Sequence, residues 1–65
     1  MLTGARINTL IASRQLQKKD VAEKAGLTAT QLWGITSGRR KISAAEALSL
    51  AHALGISISE LFGED

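Results

Sequence analysis

Residues 18–37, KKDVAEKAGLTATQLWGITS, contain the pattern that decides the fold. The segment predicts a short helix, a turn at Gly26 and a second helix, because glycine readily takes the left-handed conformation that ends a helix and turns the chain. The small side chain of Ala22 allows the two helices to approach closely. The apolar positions of the segment predict a shared buried face, made of Val21, Ala22, Ala25, Leu27, Leu32 and Ile35.

The helix, turn and helix of residues 18–37 have the spacing of a helix-turn-helix motif. In that motif the second helix is presented to the major groove of double-stranded DNA. The pattern therefore predicts that most of the remaining chain holds the helix over residues 29–37 at the surface.

Length and composition indicate one small helical domain. A chain of 65 residues buries only about 60% of its unfolded surface and is marginally stable alone. It has no Pro and no Cys, which favours helices and excludes disulfides and thiolate metal sites. With one His and scattered carboxylates, neither a metal nor a cofactor is expected. No apolar run approaches the roughly 20 residues of a membrane span, and no secretory signal follows Met1, so a cytoplasmic location is expected.

The net charge of +2 conceals an asymmetry along the chain. All eight Lys and Arg residues lie before Ile42, against two acids, which gives that segment a net charge of +6. The remaining segment has four acids and no Lys or Arg, a net charge of −4. This distribution favours a basic face toward a polyanion and an acidic end directed away from it. Chance alone also produces uneven charge in small domains.

Three capping signals mark helix starts, each an N-cap hydroxyl followed three residues later by Gln or Glu. They are Thr28 with Gln31, Ser43 with Glu46, and Ser57 with Glu60. Gln17 is a poorer cap for the second helix, and Gly26, Gly38 and Gly55 mark helix ends. We predict an all-α domain of five helices, over residues 4–14, 18–25, 29–37, 44–54 and 58–63.

Each predicted helix carries an apolar stripe at helical spacing, which predicts the face that it turns to the core. The predicted core residues are Ile7, Leu10, Ile11, Val21, Ala22, Ala25, Leu32, Ile35, Ala47, Leu48, Ala51, Leu54, Leu61 and Phe62. The short connections between the stripes indicate a compact helical bundle.

Three segments carry a resemblance to a known family: VAEKAGLT at 21–28, LWGITSGRRKIS at 32–43 and LAHALGISISELF at 50–62. They resemble, in order, helix 2 with its turn, the recognition helix with its basic loop, and the last two helices of the lambda repressor and Cro type, also called Xre-like. The resemblance covers nearly the whole chain and is specific in combination. It implies five helices and binding of double-stranded DNA as a symmetric homodimer on a palindromic operator.

The motif's geometry predicts that one face of the third helix lies in the groove and reads bases. That face comprises Thr28, Ala29, Thr30, Gln31, Trp33, Gly34 and Ser37. It contains no Arg, Lys or Asn, which are common readers of guanine and adenine. Base reading is therefore expected from the Thr30 hydroxyl, from contacts of Ala29 and Thr30 with the methyl group of thymine, and from Gln31 if it leaves its capping position.

Phosphate contacts are predicted at the start of the second helix and in the loop after the third. The residues are Gln17, Lys18, Lys19, Arg39, Arg40 and Lys41. A helix N-terminus attracts phosphate through its free N–H groups and its dipole, and phosphate contacts dominate the affinity of such interfaces. The alternative is that these are ordinary solvated side chains.

Trp33 is a large aromatic residue on the face predicted to be outermost. Three interpretations are open. Its ring packs on thymine methyls or sugar edges in the groove, it belongs to a protein-binding patch, or it folds back onto the loop at 38–41 or the fourth helix as peripheral core.

Self-association is expected at the acidic end of the chain, because one small domain contacts only a few base pairs. The predicted joining residues are Ile56, Ile58, Leu61 and Phe62. The leading functional prediction is a bacterial or phage transcription regulator that represses. The alternatives are an antitoxin of the same fold, which binds a toxin and its own operator, and a protein–protein module without base reading. An enzyme is not expected, because no nucleophile–base set or paired carboxylates are present.

Overall fold

The computed structural model describes residues 2–63, and the regular structure within that range is entirely helical. The helices are α1 Gly4–Ser13, α2 Lys18–Ala25, α3 Ala29–Thr36, α4 Ala44–Leu54 and α5 Ile58–Phe62. The predicted all-α fold is confirmed, and each predicted helix end agrees with the structure to within one residue. None of these helices combines the length and apolar character needed to cross a bilayer.

Two of the predicted capping boxes are present in full. The Thr28 hydroxyl accepts the N–H of Gln31 at 3.0 Å, and the Gln31 side chain accepts the N–H of Thr28 at 2.9 Å. Ser43 and Glu46 make the same reciprocal pair at 3.1 and 3.0 Å. The starts of α3 and α4 are therefore fixed by local hydrogen bonds, which satisfy N–H groups that a helix leaves free.

The third predicted box is only half formed. Ser57 Oγ accepts the N–H of Glu60 at 3.0 Å, but the Glu60 carboxylate forms an ion pair with Arg14 at 3.0 Å. The Glu60 carboxylate is bound to the cation of α1 and makes no hydrogen bond to the backbone N–H of Ser57. This contact joins the end of α1 to α5.

The core forms one cluster that includes residues from every helix. The prediction of Leu48 as a core residue is wrong, because its side chain is 62% exposed, whereas Leu50 is fully buried. The buried stripe of α4 runs through Ala47, Leu50, Ala51 and Leu54, which share one face at 100° per residue. Leu48 lies about 100° around the helix from Ala47, outside that stripe. Phe62 is half-buried against the cluster.

Gly4 sets the distance between α1 and the recognition helix, a role that the sequence analysis missed. A Cβ atom on Gly4 would lie 1.9 Å from the carbonyl oxygen of Ile35 and 3.2 Å from the carbonyl carbon of Thr36. Only glycine allows the first turn of α1 to touch the backbone at the end of α3. This contact helps to fix α3 against the rest of the domain.

Arg6 ties α1 to the C-terminal end of α5. Its Nη2 donates to the carbonyl oxygen of Glu60 at 2.8 Å, and its Nε donates to that of Leu61 at 3.4 Å. A guanidinium at this position satisfies carbonyls that the helix end leaves free and complements the negative end of the helix dipole. Arg6 and Arg14 therefore both contribute to packing of α5.

Candidate nucleic-acid interface

The turn between α2 and α3 fixes the relative orientation of the two helices. Gly26 has φ +74°, in the left-handed region, and ends α2. The N–H of Leu27 then donates to the carbonyl of Ala22 at 2.8 Å, and the half-buried Leu27 side chain packs on the core. Thr28 follows as the N-cap of α3. Because the turn is held by backbone hydrogen bonds, a cap and an apolar anchor, α3 leaves α2 in one direction.

The two faces of α3 differ sharply in exposure. Leu32 and Ile35 are both 0% exposed and fasten the helix to the core. The opposite face is open: apart from half-buried Gly34, every predicted base-reading residue is exposed, namely Thr28, Ala29, Thr30, Gln31, Trp33 and Ser37. Six of the seven residues predicted to read bases are therefore accessible to a partner.

Hydrogen bonds within the chain already engage some of this surface. Gln31 holds the N–H of Thr28, and the Ser37 hydroxyl donates to the carbonyl of Gly34 at 3.3 Å. Gln31 would have to give up its capping bond to contact a base. Thr30 and Ala29, in the first turn, present a hydroxyl and methyl groups to solvent.

The basic loop after α3 is anchored to Gly34. The carbonyl oxygen of Gly34 accepts the backbone N–H groups of Arg39 at 2.9 Å and Arg40 at 3.2 Å. Gly38, with φ +78°, lets the chain turn back in this way. The backbones of Arg39 and Arg40 consequently lie beside the recognition helix.

The ring of Trp33 is 52% exposed, and the guanidinium of Arg39 lies over it, with Cζ 5.1 Å from the ring centroid. This distance is within the range of a cation–π contact. The interpretation of Trp33 as peripheral core is wrong in one respect, because half of its surface is open. It is right in another, because a residue of the loop does reach the ring. The other two interpretations stay predictions.

Arg40 lies across the recognition helix and has an acidic partner. Its Cγ and Cδ atoms would lie 3.4 Å from a Cβ on Gly34, so its stem covers that glycine. Its guanidinium forms an ion pair with Glu46, whose other carboxylate oxygen caps α4 through the N–H of Ser43. Arg40 is thus held at both ends.

The predicted phosphate-binding residues of α2 lie at an open helix start. Gln17 is the N-cap but makes no side-chain cap hydrogen bond. Gln17, Lys18 and Lys19 are all exposed, as is Lys41 in the loop. Backbone N–H groups in the first turn of α2 therefore remain available to an anion.

A helix-turn-helix family model matches residues 8–61 of the chain. The chain belongs to the lambda repressor-like, Xre-type helix-turn-helix family. This family consists of DNA-binding transcriptional regulators rather than enzymes. The predicted family is confirmed. A search of curated proteins gave no significant match.

Two solved structures resemble this family member closely. The clp gene regulator ClgR from C. glutamicum has a TM-score of 0.87 and 26% identity, with 94% of this chain and 79% of that chain covered. The restriction-modification controller protein C.AhdI from Aeromonas hydrophila has a TM-score of 0.85 and 34% identity, with 91% and 89% covered. Both are regulators by description, and their likeness to this chain agrees with the family assignment.

A second exposed surface of this family member lies on α4 and α5. Leu48 is 62% exposed and Ile58 is 40% exposed, and with half-buried Ile56 they line an open groove. Among the four predicted joining residues, Leu61 is 0% exposed and cannot touch a partner in this conformation, because its side chain is part of the core. Ile56, Ile58 and Phe62 stay candidates, and Leu48 is a candidate that the sequence analysis had assigned to the core.

Proposed function

We propose that the protein is a sequence-specific regulator of transcription that binds double-stranded DNA as a homodimer, with α3 in the major groove, and acts as a repressor. The observation that carries the proposal is the open outward face of α3 in a member of a DNA-binding family. A protein that occupies its operator blocks other proteins from that DNA, so repression needs no further surface. The descriptions of ClgR and C.AhdI as a regulator and a controller support the proposal.

Base reading is assigned first to the start of α3, since the N-terminal residues of a recognition helix contact base edges. Ala29 and Thr30 are exposed there and offer methyl groups, which suit thymine, and one hydroxyl. Thr28 and Gln31 flank them and are tied together in the capping box. These contacts give modest selectivity for each base pair, which makes a second half-site necessary.

Phosphate binding is assigned to two basic segments, the start of α2 and the loop after α3. Lys18 and Lys19, with the uncapped N–H groups after Gln17, form one contact region. Arg40 and Lys41 form the other. The ion pair of Arg40 with Glu46 uses part of its guanidinium, which has five N–H donors, and leaves the others for an anion.

Dimer formation is assigned to the apolar surface of α4 and α5, with Leu48 and Ile58 at its centre. These are two of the four large apolar side chains that are exposed in the described residues, and they line the same groove. Burying them between two copies removes apolar area from water. Two recognition helices can then occupy half-sites one DNA turn apart, about 34–36 Å.

The proposal is tested by selecting bound sites from random duplex DNA and measuring the affinity for the selected site by fluorescence anisotropy at several salt concentrations. We expect a palindromic site and a steep fall of affinity with salt. The salt slope is the slope of the logarithm of the binding constant against the logarithm of the salt concentration. Lys18→Ala should reduce its magnitude by about 0.9 for each lysine removed from the complex. Lys24→Ala is the matched control, because Lys24 is exposed and outside the predicted phosphate set. Since Lys24 also lines the groove assigned to the dimer, both variants are compared at concentrations where sedimentation shows a dimer, and Lys24→Ala should then leave the slope unchanged.

Absence of any enriched sequence, or an affinity that does not respond to salt, would refute the proposed function. Equal changes of the salt slope in the Lys18 and Lys24 variants would leave DNA binding standing but reject the assigned phosphate contact.

A further inference from the structure

We propose that Arg39, oriented by the ring of Trp33, reads a guanine and supplies the base-reading cation that α3 itself lacks. This inference rests on the proposed function. The outward face of α3 has no Arg, Lys or Asn, although those side chains read guanine and adenine most effectively. The loop brings an arginine to that same face from outside the helix.

The position of Arg39 is set by two contacts with the recognition helix. Its backbone N–H donates to the carbonyl of Gly34 at 2.9 Å, and its guanidinium lies over Trp33 at 5.1 Å from the ring centroid. A guanidinium above an aromatic ring keeps its N–H donors at the edge of its plane, free for other partners. Trp33 thereby restricts the orientation of the guanidinium and holds it at the exposed surface of α3.

The neighbouring arginine differs from Arg39 in a way that separates their roles. Arg40 is paired with Glu46, which occupies part of its guanidinium and offsets part of its charge. Across residues 2–63 the ion pairs are Arg40–Glu46 and Arg14–Glu60, and neither includes Arg39. The guanidinium of Arg39 is therefore held by an aromatic face rather than by a carboxylate, and its hydrogen-bonding capacity is not consumed by an acid.

The chemistry of this arrangement selects one base. The O6 and N7 atoms of guanine are two acceptors in the major groove, and the fork of an arginine matches them with two hydrogen bonds. Adenine presents an acceptor (N7) and a donor (N6–H) at the same positions, so only one of the two arginine hydrogen bonds can form. A site selected by the wild-type protein should consequently contain a guanine at one position of each half-site that depends on Arg39.

The test compares site selection from random duplexes by the wild-type protein, Arg39→Ala, Arg39→Lys and Trp33→Leu. Affinities are then measured for the selected site and for the same site with that guanine pair changed to adenine–thymine. We expect the wild type to prefer guanine by about 5- to 150-fold, the range of a bidentate arginine–guanine contact. Arg39→Ala should abolish the preference at that position alone.

The other variants separate the charge of Arg39 from its geometry. Arg39→Lys retains the charge but replaces the planar fork by one ammonium, so the salt slope should persist while the preference for guanine falls without being abolished. Trp33→Leu removes the ring and should lower the preference without changing the salt slope. Lys41→Ala is the matched control, since it should weaken binding equally to both duplexes. Circular dichroism should show unchanged helix content in each variant, because all three side chains are exposed.

An equal loss of affinity for both duplexes in Arg39→Ala, with a smaller salt slope, would show a phosphate contact and overturn the inference, as would a selected site without an Arg39-dependent guanine. Full preference in Trp33→Leu would overturn the positioning role of the ring. In each of these cases the wild type still selects a sequence, so the proposed function stands. Failure of the wild type to select any sequence refutes the proposed function instead.

Discussion

Gly4→Ala should destabilise the domain strongly, although alanine is the better helix former. The new Cβ would lie 1.9 Å from the oxygen and 2.9 Å from the carbon of the Ile35 carbonyl. Both atoms belong to the backbone of α3 and cannot rotate away as a side chain can. Helices α1 and α3 must therefore separate by about 1 Å or more before the atoms reach normal contact distance.

The expected cost follows from the size of this displacement. Overpacking a well-packed contact costs about 1–3 kcal/mol, and the rigid backbone neighbour places Gly4→Ala in the upper part of that range. Helix propensity returns up to about 1 kcal/mol, so we expect a net loss of about 2 kcal/mol. In a domain of this size that loss lowers Tm by about 8–16 °C, at about 4–8 °C for each kcal/mol.

The free energies of unfolding of the wild type and of Gly4→Ala are measured by urea unfolding, followed by circular dichroism and by the fluorescence of Trp33, the only tryptophan in the chain. The matched control is Gly34→Ala, the same substitution in another helix. A Cβ on Gly34 would lie 3.4 Å from Cγ and Cδ of Arg40, a flexible side chain. Gly34→Ala should therefore be neutral or stabilising by up to about 1 kcal/mol.

The two substitutions should change stability in opposite directions or by clearly different amounts. If Gly4→Ala proves as stable as the wild type, the close approach of α1 to α3 is not a constraint and the reasoning fails. The same conclusion holds if both variants lose the same free energy of unfolding.

Three further predictions concern contacts away from Gly4. Leu48→Glu should shift the protein to monomer in sedimentation without loss of helix, because the side chain is 62% exposed, and an unchanged dimer would reject the proposed interface. Glu46→Gln should lower the free energy of unfolding by less than about 1 kcal/mol, because the amide oxygen still accepts the N–H of Ser43. Glu46→Ala loses that hydrogen bond as well and should cost about 1 kcal/mol more. Equal costs in thermal unfolding would contradict the capping role of Glu46. Arg6→Ala should cost about 1.5–3 kcal/mol by removing two hydrogen bonds to α5, and Arg6→Lys about half of that, whereas a cost within error of zero would contradict its role.

The helix boundaries were predictable because they depend on neighbours in sequence. A cap such as Thr28 and its partner Gln31 are three residues apart, and Gly26 needs only its own conformation to end α2. The buried and exposed faces of α3 were predictable from the helix-turn-helix motif. The buried face of α4 was predicted less well, because Leu48 and Leu50 lie on either side of the stripe formed by Ala47, Ala51 and Leu54, and both are leucines. Apolar character alone does not locate the centre of a stripe.

Contacts between distant parts of the chain were not predictable in this way. Gly4 and Ile35 are 31 residues apart, and Arg6 contacts a carbonyl 54 residues away. The glycine at the start of α1 was the one signal of this contact in the sequence. Glycine has a low helix propensity compared with alanine, so its presence in a helix can indicate a close approach of another backbone. The contact between Trp33 and Arg39 is short in sequence, but it depends on the path of the loop around the carbonyl of Gly34.

The same long-range contacts change the meaning of the charge asymmetry. The segment before Ile42 has a net charge of +6, but three of its eight cations are used within the fold. Arg6 and Arg14 bind α5, and Arg40 is paired with Glu46 at the start of α4. Since the acidic partners of Arg14 and Arg40 cancel part of the field that a polyanion would feel, the net charge of this segment overstates the attraction. The number of phosphate contacts in each copy should therefore be smaller than the number of basic residues, and base selectivity should depend on Ala29, Thr30 and the Arg39 guanidinium that lies over Trp33.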